Sequence, residues 1–213
     1  SHHPHGKAYA GLHEAMKLQV DVLKNCGLSE KAAKGLMEER MSEVERKVLS
    51  ANHNRDVDSA ALLDLPFMCA HTPADNHVWS YLTELFARNK PGRVSAILEI
   101  LNSIPEYAAA NDRLAGPRII LGNPNRPCGK ILVDMTGGAE GSKEAFDKLY
   151  QCGIRTIVAM HLGEEHFKKV KDANLNVVIA GHISSDTLGL NLLLDNIEES
   201  AKQTFPVIAC SGF

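Results

Sequence analysis

The sequence predicts an α/β fold in which parallel strand pairs are covered by helices. Short apolar runs alternate with helical stretches in the last third of the chain, over residues 130–180. Alternation at this spacing is typical of strands that pair in parallel, with the connecting helices packed on the sheet. A long helical region near the N-terminus forms a second component. We therefore expect a two-lobed α/β protein with mixed sheets.

The last third contains the clearest elements. We expect strands at 130–135, 154–159 and 176–180 and helices at 142–150, 164–173 and 185–202. A further apolar stretch follows at 205–210. A glycine-rich turn at 137–141 joins the first of these strands to its helix. It lacks the full dinucleotide fingerprint and the Gly-Lys-Ser/Thr of a P-loop, so we interpret it as a tight packing turn, with a phosphate cradle as the alternative.

Residues 12–50 are expected to be helical. Leu12, Met16 and Val20 recur at intervals of four, the period of an amphipathic helix. Gly27 predicts a break, and Ser29 is a suitable N-cap for the next helix. These helices are interpreted as a packed hairpin, with a partner-binding arm as the alternative.

The middle of the chain is less regular. We expect a short helix at 59–65, a buried strand at 67–70 and a helix at 94–107, with helical periodicity also returning after Asp75. Residues 114–129 are rich in Gly, Pro and Asn and indicate loops around 118–121. This predicts a first lobe at 1–113 and a second α/β portion at 114–213.

Composition excludes several classes of function. The 213 residues are 44% hydrophobic and 23% charged, which is typical of a globular protein. A net charge of −3 argues against nucleic acid binding, and no apolar run reaches membrane-spanning length. The five cysteines are scattered and odd in number, which favours reduced thiols in a cytoplasmic protein.

Three short clusters of potential metal ligands lie far apart in the sequence. Together they offer four imidazoles and two carboxylates: Ser1-His2-His3-Pro4, His71-Thr72-Pro73-Ala74-Asp75 and Gly181-His182-Ile183-Ser184-Ser185-Asp186. The second and third each follow a predicted strand, and ligands of open α/β sheets sit where strands end.

Each cluster also has a purely structural interpretation. Asp186 can support the start of a helix through the helix dipole, while His182 is buried and hydrogen-bonded. Thr72 and Asp75 can be turn and cap residues. The histidine pair at the start can be the remnant of a purification tag.

Taken together, the three clusters resemble the motifs of the GTP cyclohydrolase I type 2 family, also called the Nif-three-like family. Its members carry a histidine pair, then His-Thr-x-x-Asp, then Gly-His-x-x-x-Glu. The order and placement agree over essentially the whole chain, and the turn at 134–141 and the Gly163-Glu164-Glu165-His166 segment are also similar.

The resemblance implies a Nif-three-like fold with a pair of divalent metal ions in a cleft. The implied ligands are His2, His3, His71, Asp75, His182 and Asp186. Mixed imidazole and carboxylate donors suit zinc, manganese, iron or nickel better than calcium. Glu164 and His166 are the implied supporting or proton-transfer groups.

The chain departs from the family pattern in three ways. Asp186 stands where the family has glutamate, and the stretch between His3 and His71 is longer because of the helical region. Members also carry a strand and helix before the histidine pair, so we expect the natural protein to extend upstream of Ser1.

The implied function is that of a metal-dependent hydrolase or cyclohydrolase acting on a nucleotide-like small molecule. The alternative is a metal-binding regulatory or adaptor protein without turnover. A third possibility is a structural α/β domain whose histidines are incidental. The resemblance also implies a homo-oligomer.

Overall fold

The core of the fold is one four-stranded mixed sheet. A computed structural model describes residues 1–210, and in it the strands lie in the order β1-β4-β3-β2. The central strands β3 and β4 pair in parallel, as do β2 and β3, whereas β1 pairs antiparallel with β4. The strands are β1 (Arg118–Leu121), β2 (Lys130–Asp134), β3 (Ile154–Ala159) and β4 (Asn176–Ile179).

The α/β fold class predicted from the sequence is confirmed. The strand expected at 154–159 has the same bounds in the structure, and those expected at 130–135 and 176–180 are each one residue shorter. Residues 118–121, expected to be part of a loop, form the antiparallel edge strand. The division into lobes at residue 113 stays a prediction.

Helices cover the sheet on both faces. They are α1 (Gly6–Ala10), α2 (Leu12–Ala15), α3 (Leu18–Cys26), α4 (Glu30–Leu49), α5 (Arg55–Leu62), α6 (His71–Asn89), α7 (Val94–Asn102), α8 (Pro105–Asn111), α9 (Phe146–Gln151), α10 (Glu164–Asp172) and α11 (His182–Ala201). A short 3-10 turn, Lys143–Ala145, precedes α9.

Two apolar layers separate the sheet from these helices. Successive residues of β3 point into different layers because side chains alternate along a strand. Ile157 packs with α3, α4, α9 and α10, and Val158 packs with α6, α7, α8 and α11. Both residues are fully buried. The helical hairpin expected in the first third therefore forms part of the core, with Gly27 ending α3 and Ser29 accepting a hydrogen bond from the Ala32 amide.

The strand predicted at 67–70 is wrong. Residues 65–70 form neither strand nor helix, and Met68 is 72% exposed. Four apolar residues make a strand only when a neighbouring strand pairs with them, and the sheet described above takes up no such segment. His71 therefore begins a helix, α6, and does not end a strand.

Three helix boundaries also differ from expectation. The helix predicted at 94–107 is divided because Pro105 starts a new helix at its first position, where its missing N–H costs nothing. The helix predicted at 59–65 lies earlier, at α5. The last long helix begins at His182, not Ser185, so Asp186 falls beyond the first turn and Gly181 is the N-cap.

Helices α6 and α11 approach each other closely at a glycine. A Cβ added to Gly189 on α11 would stand 2.6 Å from the Ala74 carbonyl oxygen of α6. Real Cβ contacts are not this short, so any larger residue would separate the two helices. This contact lies one residue from Asp75 and three residues from Asp186.

None of the helices within residues 1–210 combines the length and apolar character needed to cross a membrane.

Two glycine substitutions should change stability in opposite directions. Gly189→Ala should lower the free energy of unfolding by about 1–3 kcal/mol through overpacking. Gly35→Ala, in the interior of α4 with no atom within 4 Å of the added Cβ, should raise it by about 0.5–1 kcal/mol. Urea denaturation followed by circular dichroism measures both, and equal effects would contradict the close contact.

Candidate metal centre

The carboxyl ends of the parallel strands lie together at one edge of the sheet. Asp134 ends β2, His161 follows β3 by two residues, and His182 follows β4 by three residues. Because β2, β3 and β4 are neighbours, these side chains converge on one cleft.

Two other segments bring candidate ligands to the same cleft. His71 and Asp75 are four residues apart in the first turns of α6, so they lie on one face of that helix. The chain start is held beside this helix, because the amino group of Ser1 donates to the Met68 carbonyl at 2.8 Å. The Ala70 amide donates back to the Ser1 carbonyl at 2.9 Å. These contacts place the following histidine pair against α6.

The Asp75 carboxylate lies between two imidazoles. His2 Nε2 is 3.1 Å from Asp75 Oδ1, within hydrogen-bond distance. His71 Nδ1 is 3.7 Å from Asp75 Oδ2. Asp75 is 5% exposed and His2 is 3% exposed, so the pair is almost completely shielded from water.

The Asp186 carboxylate has a similar environment. His3 Nε2 lies 3.6 Å from Oδ2 and His182 Nε2 lies 3.8 Å from Oδ1. His2 Nδ1 is 3.5 Å from Oδ2, so the His2 ring lies between the two carboxylates. The six residues implied by the resemblance therefore form one cluster.

The donor atoms of this cluster suit metal ions. In residues 1–210, His2 Nδ1, His71 Nδ1 and Asp186 Oδ1 are buried without a hydrogen-bond partner. Buried polar atoms are rarely left unpartnered, because the loss of hydration costs free energy. In a tetrahedral site, two ligand atoms that each lie about 2.1 Å from the ion are about 3.4 Å apart. The distances of 3.5–3.8 Å between imidazole nitrogens and carboxylate oxygens in this cluster are close to that value.

Burial sets the protonation states of the cluster. It raises the pKa of Asp186 to about 7. Burial and the neighbouring His161 and His3 lower the pKa of His182 to about 4, and burial also lowers the pKa values of His3 and His71. These three imidazoles are therefore neutral near pH 7, the form that binds metal ions.

A second pair of charged groups borders the cleft and was missed by the sequence interpretation. Glu140 Oε1 lies 3.5 Å from His161 Nδ1, and the His161 ring is 4.8 Å from that of His182. The contact with His161 lowers the pKa of Glu140 to about 2 and raises that of His161. The sequence contained a signal for His161, because this residue follows the strand predicted at 154–159 just as His182 follows the strand predicted at 176–180.

The two predicted supporting residues lie in different places. Glu164 is on the exposed first turn of α10, 3.9 Å from Lys168, and does not line the cleft. His166 is 8% exposed, with Nε2 donating to the Gly141 carbonyl at 2.9 Å and Nδ1 at 3.4 Å from Glu140. His166 therefore contacts the cluster through Glu140, whereas Glu164 is not brought near it.

The glycine-rich turn forms one wall of the cleft. The Gln19 amide, 5% exposed, donates to the carbonyls of Thr136, Gly137 and Ala139, at 2.6 Å for the last. Arg40 Nε donates to the Glu140 carbonyl at 2.9 Å. Side chains of α3 and α4 thus hold the turn in place, in line with the packing interpretation.

One solved structure is similar over almost the whole chain. The crystal structure of a NIF3 superfamily protein from Sphaerobacter thermophilus superposes with a TM-score of 0.80 at 25% sequence identity, covering 95% of this chain and 75% of that one. No known family profile and no curated protein sequence matches. The chain therefore has the NIF3-like fold that its motifs predicted, while the homo-oligomer stays a prediction.

Removing the negative charge of Glu140 should lower the pKa of His161. In Glu140→Gln the ring keeps its partial burial but loses its anionic neighbour, so NMR titration should give a lower His161 pKa than in the wild type. Glu144→Gln, four residues further along the chain and paired with Lys169, is the control and should leave the His161 pKa unchanged.

The loss of stability caused by Glu140→Gln should depend on pH. The raised His161 pKa contributes stability that is present below its unfolded value of 6.5 and is lost as the pH rises through the folded value. The loss of stability in Glu140→Gln should therefore be larger at pH 6 than at pH 9. An equal loss at both pH values would contradict the ion pair.

Proposed function

We propose that this chain binds two divalent metal ions and is a hydrolase or cyclohydrolase of the GTP cyclohydrolase I type 2 family. The observation that carries the proposal is the pairing of each buried carboxylate with imidazoles. Asp75 lies beside His2 and His71, and Asp186 lies beside His3 and His182. Each of these two groups, which we call the two halves of the site, offers two imidazoles and one carboxylate. Zinc sites that keep a position open for water or substrate have the same kind of ligand set.

The ligand chemistry favours zinc, manganese, iron or nickel. Imidazole nitrogen binds these ions well, whereas calcium prefers a shell made of oxygen atoms. When bound, such ions acidify water and polarise substrate oxygens. Asp186 is shorter than the glutamate of the family motif, yet its carboxylate reaches the imidazoles because α11 begins at His182 and carries Asp186 one helical turn further on.

Side chains around the cluster supply binding and proton transfer. The cleft has a volume of about 210 Å³, and Asp134, Thr136 and His161 line it together with four of the six proposed ligands. Glu140 engages His161 Nδ1, which leaves Nε2 as the ring atom available to a bound molecule. The Glu140 carboxylate raises the pKa of His161, which favours the protonated ring that could donate to a leaving group or intermediate.

The substrate class rests on the family resemblance. The phosphate groups of a nucleotide-like molecule would be attracted to metal ions and to a histidine that Glu140 favours in its protonated form. Ring opening of GTP and simple phosphoester or amide hydrolysis both require activated water and a proton donor. These two groups of reactions are the ones that we expect.

Metal content tests the centre directly. Purified protein reconstituted with zinc or manganese and then desalted should retain two ions per chain by elemental analysis. His71→Ala and His182→Ala should each lose at least one ion, because each removes a donor from a different half. His77→Ala, on the same helix as His71 and outside the groups of potential ligands, is the control and should retain both. Wild-type protein that retains no metal would remove the proposal.

Turnover tests the enzymatic part of the proposal. Metal-loaded wild type should hydrolyse GTP or members of a panel of phosphoesters and amides. Asp75→Asn should lower kcat/KM by about two orders of magnitude or more, through the weakened centre. Glu144→Gln should retain full activity. Protein with two bound ions and no turnover on any of these compounds would favour the non-catalytic regulatory alternative.

A further inference from the structure

A second cavity lies on the other side of His182 from the metal cluster. It has a volume of about 370 Å³ and is enclosed by α8 and the start of α11. Small-molecule sites usually occupy about 300–1,000 Å³. His182 and Ile183 of α11 line it, together with Glu106 and Arg113 from the region of α8. Only His182 also lines the metal cleft.

The N-terminus of α11 opens into this cavity. The amides of His182, Ile183 and Ser184 form its first turn, where an α-helix has no internal acceptor for them. The N-cap is Gly181, which offers no capping side chain, and no acidic residue lies in the first turn. A 20-residue helix with this start presents partial positive charge and free N–H groups to an anion.

A buried hydroxyl at the same place lacks a partner. Ser184 lines the cavity and is 8% exposed, and among residues 1–210 its Oγ has no hydrogen-bond partner. The hydroxyl lies over the N-cap, since a Cβ on Gly181 would be only 2.7 Å from it. The neighbouring Ser185 differs, because its hydroxyl bonds to the Gly181 carbonyl and to Tyr107. A ligand at the start of α11 would give the Ser184 hydroxyl the hydrogen-bond partner that it lacks.

Arg113 supplies a positive charge to the lining of the cavity. No carboxylate in the described part of the chain lies within 4.0 Å of the Arg113 guanidinium. Glu106 is the acidic group of the lining, and its Oε1 already accepts a hydrogen bond from Asn191 at 2.8 Å. Arginine together with main-chain amides and a hydroxyl is a set of donors suited to phosphate oxygens.

We propose that the first turn of α11, with Ser184 and Arg113, is a binding site for a phosphate or phosphomonoester group. The site is separate from the metal cluster and does not require it. His182 borders both cavities, so the two proposed sites are neighbours.

Inorganic phosphate is the probe, with chelator-treated protein so that metal ions cannot bind it. Phosphate should shift the amide signals of His182, Ile183 and Ser184 in ¹H–¹⁵N NMR spectra, and the titration gives the dissociation constant. Ser184→Ala and Arg113→Ala should each weaken binding by about tenfold, as expected for a lost hydrogen bond to a charged group. Arg93→Ala, on a remote exposed arginine, should not change it.

A pair of aspartate substitutions separates ligand binding from helix stability. Ile183→Asp places a carboxylate in the first turn of α11, so it should stabilise the helix while repelling phosphate and abolishing the amide shifts. Ile197→Asp, near the other end of the same helix and also exposed, should leave phosphate binding unchanged.

Two results would overturn the proposal. One is metal-free wild type that shows no phosphate-dependent shifts in the first turn of α11. The other is a dissociation constant unchanged in Ser184→Ala, Arg113→Ala and Ile183→Asp. Either result leaves the metal centre untouched, because that centre is tested by metal content.

Discussion

The close contact of α6 and α11 is the constraint on which the candidate site depends. At Gly189 the two helices approach so closely that no side chain fits between them. Each helix carries one buried carboxylate near this contact, Asp75 on α6 and Asp186 on α11. The contact brings these two acids into one cluster, although more than one hundred residues separate them in the sequence.

Two buried carboxylates in one cluster require compensation. Removing an ionised carboxylate from water is costly unless cations or hydrogen-bond donors replace its hydration. Burial raises the pKa of Asp186 to about 7 and lowers that of His182 to about 4, so it disfavours the charged forms of both the acid and the imidazole. Two divalent cations would favour the charged form of Asp186 and use the nitrogen atoms that lack partners. The physical chemistry of the cluster thus favours the proposed metal centre.

The first residues of α11 lie between two cavities. His182 borders the metal cleft on one side and the proposed phosphate cavity on the other. One turn later, Asp186 points to the cluster, while Ser184 lines the phosphate cavity. This division follows from the helical period, because residues two apart lie on nearly opposite faces of a helix. In the two proposals, the start of this one helix would therefore contribute both to the metal centre and to the phosphate site.

The sequence by itself determined the α/β class, the three strands at 130–180 and the six candidate ligands. Each of these can be recognised within a short stretch of chain, either from the spacing of apolar residues in strands and helices or from a short motif. Only the tertiary structure decided that the ligands converge, that 67–70 is not a strand, and that α11 begins at His182. It also revealed the Glu140–His161 pair and the unpartnered Ser184 hydroxyl. The physical reason is that strand pairing, burial and ion pairs depend on contacts between distant residues, which no local pattern encodes.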